Sequence, residues 1–262
     1  MAAHEKTALT WAAVERAITA RLRPGVLAGE LPDGETLREE LARGTLTLAD
    51  TPAVLLLFRR RSGFSRVSYF LTDPQGACPC VWPDRCVLEV PLRPGAPETA
   101  VDYWQTQGFQ TVFRRIRRRR TASEETAQEP PPRPVAASEA QALLEACFDP
   151  MTGCLPRQEQ LEQRSREGLL LSRCADDGTL QALLDVEPRR GAVELRHLAV
   201  LPAFRGRGLG VSLTAEFVRR FGSSRCLVWH RQDDAAAAAI YEKNGFHPDG
   251  WQSVVLKRER IE

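Results

Sequence analysis

Ala100, Tyr103, Trp104, Gly108 and Phe109 recur at one constant offset as Ala237, Ile240, Tyr241, Gly245 and Phe246. An internal repeat constrains the fold strongly, because each copy must build the same unit, here a helix stopped at a glycine and followed by a strand. Between the copies the composition changes abruptly. TASEETAQEPPPRP has no apolar periodicity, several acids and four prolines, the marks of a semi-rigid linker. The 262-residue chain therefore divides into an N-terminal domain over 1–120, a linker over 121–132 and a C-terminal domain over 133–262. Each half is close to the usual size of one domain.

The second half has the sharper punctuation. Ser138-Glu139-Ala140-Gln141 has capping-box spacing, and Leu143, Leu144, Cys147 and Phe148 fall on one helical face before Asp149-Pro150 closes the segment. PRQEQLEQRSREG predicts a second helix ending at Gly168. LLLSRC and LQALLDV flank Asp176-Asp177-Gly178 as an antiparallel hairpin, and AVELRHLAV follows Pro188 to Gly191 as a third strand. After the glycine-rich segment Phe204 to Gly210, the spacing of Leu209, Leu213, Phe217 and Phe221 predicts a helix stopped at Gly222. CLVWH, DDAAAAAIYEKN and WQSVVLKR complete the order α-α-β-β-β-loop-α-β-α-β. The first half is a weaker echo: the hairpin VLLLFRRRSGFSRVSYFL, the strand CVLEV, and TAVDYWQTQGFQTVFRRIR as a helix, a glycine stop and a strand.

Composition excludes several classes. With 43% hydrophobic and 27% charged residues the chain is globular rather than disordered. Apolar runs such as Ala53 to Phe58 and Ala235 to Tyr241 are far shorter than the roughly 20 residues a membrane span needs. His4, Glu5, Lys6, Glu15 and Arg16 interrupt the apolar segment a secretory signal would require, so the expected location is cytoplasmic. A formal charge of +2 gives no global field for nucleic acid. The run Arg114, Arg115, Arg117, Arg118, Arg119 and Arg120 reads as a solvated strand end in a chain with only three lysines. Seven scattered cysteines point to reduced thiols, and Cys78, Cys80 and Cys86 lack a fourth ligand for zinc, so no metal is expected.

The chemistry concentrates in LAVLPAFRGRGLGVSL. Arg205-Gly206-Arg207-Gly208-Leu209-Gly210 joins a strand ending at Val200 to a helix. Alternate glycines let backbone amides approach an anion closely, and the helix N-terminus adds roughly half a positive charge. Neither the P-loop nor the dinucleotide fingerprint matches.

Strand, V-x-P-x-x-R-G-x-G-x-G, helix, strand and A-x-x-x-Y-x-x-x-G-F together resemble the GNAT superfamily of acyl-CoA N-acyltransferases, over about Arg133 to Glu262. The resemblance implies a mixed α/β (α+β) fold of two GNAT-like domains, each a central, mostly antiparallel twisted sheet flanked by helices. It makes Arg205, Gly206, Arg207, Gly208, Leu209 and Gly210 the pyrophosphate loop of coenzyme A, and Leu198, Ala199 and Val200 the backbone that pairs with the pantetheine arm. Asp234 stands where the family usually has asparagine near that arm, and cannot offer an amide donor. Tyr241 matches the phenol that protonates the leaving thiolate.

An ammonium must lose a proton before it can attack a thioester, so a base is needed. Glu194 lies at the offset where the histone-acetylating branch of the family carries its glutamate, and simple alternation groups it with Arg196 and Leu198, away from His197. Burial beside the cofactor arm would raise its pKa; the other reading is a carboxylate paired with an arginine. His230 is the second candidate, an imidazole where the family usually has an aliphatic residue. Trp229 and Trp251 read as packing residues.

The first half has only TDPQGACPCVWPD between its Leu71 and Cys86 strands, and Trp104 stands in place of the phenol. It is expected to serve as a scaffold that cannot bind coenzyme A. The leading expectation is an N-acetyltransferase moving an acetyl group from acetyl-CoA, with no metal, to a primary amine of a small molecule or peptide in a ternary complex, as a monomer or homodimer. The alternative is a non-catalytic acyl-CoA-binding or protein-interaction module.

Overall fold

The computed structural model describes residues 9–123 and 132–260. Most of the expected linker, residues 124–131, lies outside them. In chain order the elements are α1 (Trp11–Thr19), β1 (Leu27–Ala28), α2 (Gly34–Ala42), β2 (Leu46–Asp50), β3 (Val54–Arg61), β4 (Phe64–Leu71), β5 (Arg85–Leu92), α3 (Thr99–Thr106) and β6 (Gln110–Arg120). There follow α4 (Ala137–Cys147), α5 (Gln158–Arg166), β7 (Leu170–Cys174), β8 (Leu180–Arg189), β9 (Ala192–Val200), a 3₁₀ turn (Pro202–Phe204), α6 (Leu209–Phe221), β10 (Cys226–Arg231), α7 (Ala235–Lys243) and β11 (His247–Glu259).

The second half has the expected order of elements. Its first helix starts differently: Ala136 is the N-cap and Ser138 sits inside the first turn, so Ser138 does not cap it. The next helix does have the reciprocal half of such a box, with the Arg157 N–H donating to Gln160 Oε1 at 2.9 Å.

Two compact units form. One comprises Met1–Arg114 and Gln252–Glu262, the other Arg115–Trp251. The 1–120 and 133–262 halves thus describe the copies in sequence order, whereas in space each copy lends its last strand to the other unit. Strand β11 pairs antiparallel with β5 from Gln252↔Leu92 to Glu259↔Arg85. Strand β6 pairs antiparallel with β10 from Arg115↔Arg231 to Arg120↔Cys226.

In the first unit the order is β2-β3-β4-β5-β11, antiparallel except for three parallel pairs between β4 and β5. Alternation along β3 sends Leu55 and Leu57 toward α1 and α2, and Val54, Leu56 and Phe58 toward α3. Trp104 and Phe109 anchor the α3 side with rings 5.8 Å apart. Cys86 belongs to this core, with Cys78 and Cys80 packed against it, and burial pushes the Cys80 and Cys86 thiols up to about 12.

Beyond the last β4–β5 pair, Val67↔Leu88, the two strands part, and the chain itself fills the gap. Strand β1 pairs with β4 at Leu27↔Leu71 and Ala28↔Phe70. The Gly29 N–H donates to Tyr69 O at 3.0 Å. A Cβ at Gly29 would lie 2.6 Å from the Tyr69 ring and 3.2 Å from Glu89 O, so only glycine fits between β4 and β5.

In the second unit the order is β6-β10-β9-β8-β7, and the β9–β10 pair is parallel. One face carries α4 and α5 over Leu170, Leu183 and Ala199. The other carries α6 and α7 over Leu171, Ala182, Leu184, Val186, Leu195 and Val228. The repeat survives as a shared helix stop: Gly108 and Gly245 have φ of 84° and 79°. The N–H of Phe109 returns to Trp104 O and that of Phe246 to Tyr241 O, at 3.1 and 3.0 Å. Among the described residues no helix is long and apolar enough to cross a membrane.

Candidate functional site

Strands β9 and β10 pair only at Val193↔Cys226, Glu194↔Leu227 and Leu195↔Val228. On its other edge β9 stays paired with β8 as far as Val200↔Ala182. Leu198, Ala199 and Val200 therefore have no β10 partner on that edge. The strands separate where the β8–β9 register slips, between Asp185↔His197 and Val186↔Leu195, so Arg196 is the extra residue of a β-bulge.

That bulge corrects the reading of Glu194. Simple alternation puts it with Leu198, but an inserted residue resets the period, and Leu195 shares the α6–α7 face with Leu198 and Val200. Glu194 instead pairs across the strands with Glu187, which ion-pairs with Arg164 of α5. It therefore lies on the α4–α5 face with His197. Its carboxylate is buried and accepts from Arg189 Nε and Arg196 Nη1, both at 3.1 Å. Both carboxylate oxygens are thus engaged by guanidiniums, which is the arginine-paired reading of this residue.

After Val200 the chain passes through the 3₁₀ turn to Gly206 and Gly208, with φ of 77° and 76°. A Cβ would meet nothing within 4 Å at either, so backbone conformation rather than crowding demands glycine. Gly208 is the N-cap of α6, and no side chain caps that helix. The Ser212 N–H closes the first turn onto Gly208 O at 2.9 Å, so the N–H groups of 209–211 precede the first intrahelical bond of α6. Gly210 serves packing: a Cβ there would lie 3.2 Å from Ile240 Cδ1 and 3.7 Å from Leu198 Cδ2. Arg205 donates to Val200 O at 3.1 Å, and the Arg207 guanidinium lies 5.1 Å from the Phe204 ring.

On the α6–α7 face, His230 lies two residues beyond the last β9–β10 pair, with its ring 5.6 Å from that of Tyr241. Burial, and beyond that the Asp234 carboxylate, push the Tyr241 phenol above its ordinary value. Asp234 caps α7, accepting from the Ala237 N–H at 2.9 Å, a task that needs an acceptor and no amide. Burial, and then the Arg118 charge, hold the His230 imidazole below its ordinary value, against the opposing pull of the Arg231 backbone, Asp234 and Glu242.

Arg118 is the site residue that sequence reasoning missed. It is 4% exposed and donates to His230 Nε2 at 2.9 Å, Glu242 Oε1 at 2.9 Å and Phe246 O at 3.4 Å. Three others in the run are paired too: Arg115 binds Thr152 O, Arg117 binds Asp249 between Trp229 and Trp251, and Arg120 binds Gly222 O. An arginine run on a β-strand alternates faces, which signals partners on two sides. A second missed group lies on the α4–α5 face. Asp185, fully buried, accepts from Arg164 Nη1 at 2.6 Å and contacts His197 Nδ1 at 2.9 Å. His197 Nε2 reaches Gly153 O at 2.9 Å, tying the α4–α5 loop to β9.

An open β9 edge that runs into an uncapped helix through a left-handed glycine pair is the arrangement to which the family motifs point. A family model described as acetyltransferase (GNAT) domain matches residues 172–248, from β7 through the start of β11. A GNAT acetyltransferase domain therefore lies within the second unit. Among solved structures, a GCN5-related N-acetyltransferase from Sphaerobacter thermophilus aligns with a TM-score of 0.52 at 14% identity, covering 91% of this chain and 96% of that one. A tandem GNAT protein from the clavulanic acid biosynthesis pathway aligns with a TM-score of 0.53 at 14% identity, over 99% and 97%. A GCN5-related N-acetyltransferase from Kribbella flavida aligns with a TM-score of 0.50 at 14% identity, over 87% and 94%. At such identities the likeness is one of fold. No curated protein matches the sequence significantly.

Proposed function

We propose that the second unit of this GNAT protein transfers an acetyl group from acetyl-CoA to a primary amine of a small molecule or peptide, by direct attack in a ternary complex. The observation that carries this reading is the open edge of Leu198 to Val200 leading into the uncapped N-terminus of α6 at Gly208. Pyrophosphate would sit on the amides of 209–211 with Arg205 and Arg207 beside it, and the pantetheine arm would lie along Leu198, Ala199 and Val200 as an added strand.

The amine nitrogen attacks the thioester carbonyl carbon, the C–S bond breaks, and the departing sulfur takes a proton from the Tyr241 phenol. The buried phenol remains protonated at neutral pH, as an acid must. Glu194 is engaged by two guanidiniums and the Nε2 lone pair of His230 by Arg118. In this proposal the amine therefore sheds its proton to solvent and reacts as its neutral fraction, with proximity supplying much of the rate. Engaged candidate bases also suit a non-catalytic acyl-CoA binder, the second reading.

Calorimetric titration with acetyl-CoA of the parent and of Gly208→Glu tests the site. Micromolar binding lost in the variant supports it, and no binding at millimolar ligand refutes it. Amine-dependent release of free thiol from acetyl-CoA then separates transferase from binder.

A further inference from the structure

Arg118 fixes more than the position of His230. An arginine Nε carries one N–H and no lone pair, so at 2.9 Å from His230 Nε2 it can only donate, and Nε2 must be the acceptor. The ring's single proton then resides on Nδ1. Among the described residues His230 Nδ1 has no hydrogen-bond partner, although the side chain is 94% buried, being 6% exposed. Tyr103 Oη, Trp104 Nε1 and Gln141 Oε1 are also buried without a partner among the described residues, but of these four atoms only His230 Nδ1 belongs to a ring packed on Tyr241, and a buried unpaired donor there asks for an acceptor from outside.

Where that donor lies narrows the acceptor. His230 shares the α6–α7 face with Cys226 and Val228, lies just past the point where β10 leaves β9, and stacks obliquely on the Tyr241 ring. The charged groups around it are Arg118 of β6, Asp234 at the cap of α7 and Glu242 of α7. With the Arg118 guanidinium aimed at its only lone pair, a second ring proton would face a cation at hydrogen-bond distance.

We propose that His230 is not a base but a neutral hydrogen-bond donor, locked in its Nδ1–H tautomer by Arg118, and that this N–H is aimed at the thioester carbonyl oxygen of the acyl donor, where negative charge gathers as the amine attacks. The proposal rests on the acetyltransferase reading above. Arg118 is then a positioning residue that acts only through the imidazole.

Asparagine and glutamine divide the two ring nitrogens between them. Asparagine can set an amide N–H where Nδ1 stands, and glutamine can set an oxygen where Nε2 meets Arg118. With the full chain labelled at its four histidines, nitrogen NMR should show His230 bare at Nε2 and protonated at Nδ1 throughout the active pH range, and acetyl-CoA should shift the Nδ1 signal. His230→Asn should keep kcat within about tenfold of the parent, while His230→Gln, with Arg118 still satisfied, should lose about 10²–10³-fold in kcat with KM little changed. The acidic limb of the pH profile should stay in place in His230→Asn.

A proton on Nε2 in the free protein overturns the proposal, as do equal losses in both variants or disappearance of the acidic limb in both. If the parent neither binds acetyl-CoA nor releases thiol, the acetyltransferase reading falls and this role with it. If the parent turns over and His230→Gln matches it, the role alone falls.

Discussion

Glu194→Gln separates a catalytic from a structural carboxylate at this site. The side chain is 7% exposed, and its partners Arg189 and Arg196 are 39% and 18% exposed. Glutamine keeps the shape and one accepting oxygen, but turns an amide N–H toward a guanidinium that can only donate. One charge-assisted hydrogen bond is lost, worth about 1.5–3 kcal/mol when buried. Half-exposed Arg189 can rehydrate, which brings the expected loss to about 1–2 kcal/mol. For a chain of this size that lowers Tm by about 2–8 °C. Since Glu194 lies on the α4–α5 face, opposite the face that carries Tyr241, kcat should fall by less than about tenfold. Removing a true general base costs about 10²–10⁴-fold. Differential scanning fluorimetry beside a thiol-release assay reads both quantities. A kcat loss above a hundredfold with an unchanged Tm would refute the reasoning and restore Glu194 as the base.

Tyr241→Phe should lower kcat about 10²–10⁴-fold while leaving acetyl-CoA affinity, read by calorimetry, unchanged. The raised phenols of Tyr69, Tyr103 and Tyr241 hold their protons more tightly folded than unfolded, so stability should be level through neutral pH and fall once pH climbs past about 10, as alkaline denaturation curves will show. On the acid side, hydrogen bonding from His197 and the Arg164 charge overcome burial to hold the Asp185 carboxyl below its ordinary value, so its contribution is present above about pH 4 and is lost as pH falls through the lowered value. Asp185→Asn leaves Arg164 and His197 facing a neutral group in the core and should cost about 3–5 kcal/mol in chemical denaturation. Gly29→Ala must push a Cβ against the Tyr69 ring and should cost about 1–3 kcal/mol, with acetyl-CoA affinity unaltered.

What could be read from the sequence was local. Gly206, Gly208 and Gly245 punctuate the chain because a positive φ is a demand of one residue on its own backbone. The periodicity of α6 and the hairpin of β7 and β8 are likewise short-range. Features set by distant partners were hidden. Arg118 looks like its neighbours until His230, 112 residues away, is brought against it. The face of Glu194 depends on a one-residue slip at Arg196 that no strand pattern announces. Helices α1 and α2 fell in a stretch read only for its lack of a leader, and β1 is too short and exposed to show a period.

The segment Leu27 to Gly29, lying in the gap between β4 and β5, gives the first unit an order of its own that, on the proposed reading, the second unit takes from its cosubstrate. A tethered strand occupies its gap at a fixed effective concentration, whatever is dissolved outside. Among the described residues no strand pairs into the gap between β9 and β10, and an occupant at a hundred times its Kd would stabilise that unit by about 2.7 kcal/mol. Hydrogen exchange should then slow across the second unit when acetyl-CoA is added and keep its original rate in the β4–β5 region, where order is permanent.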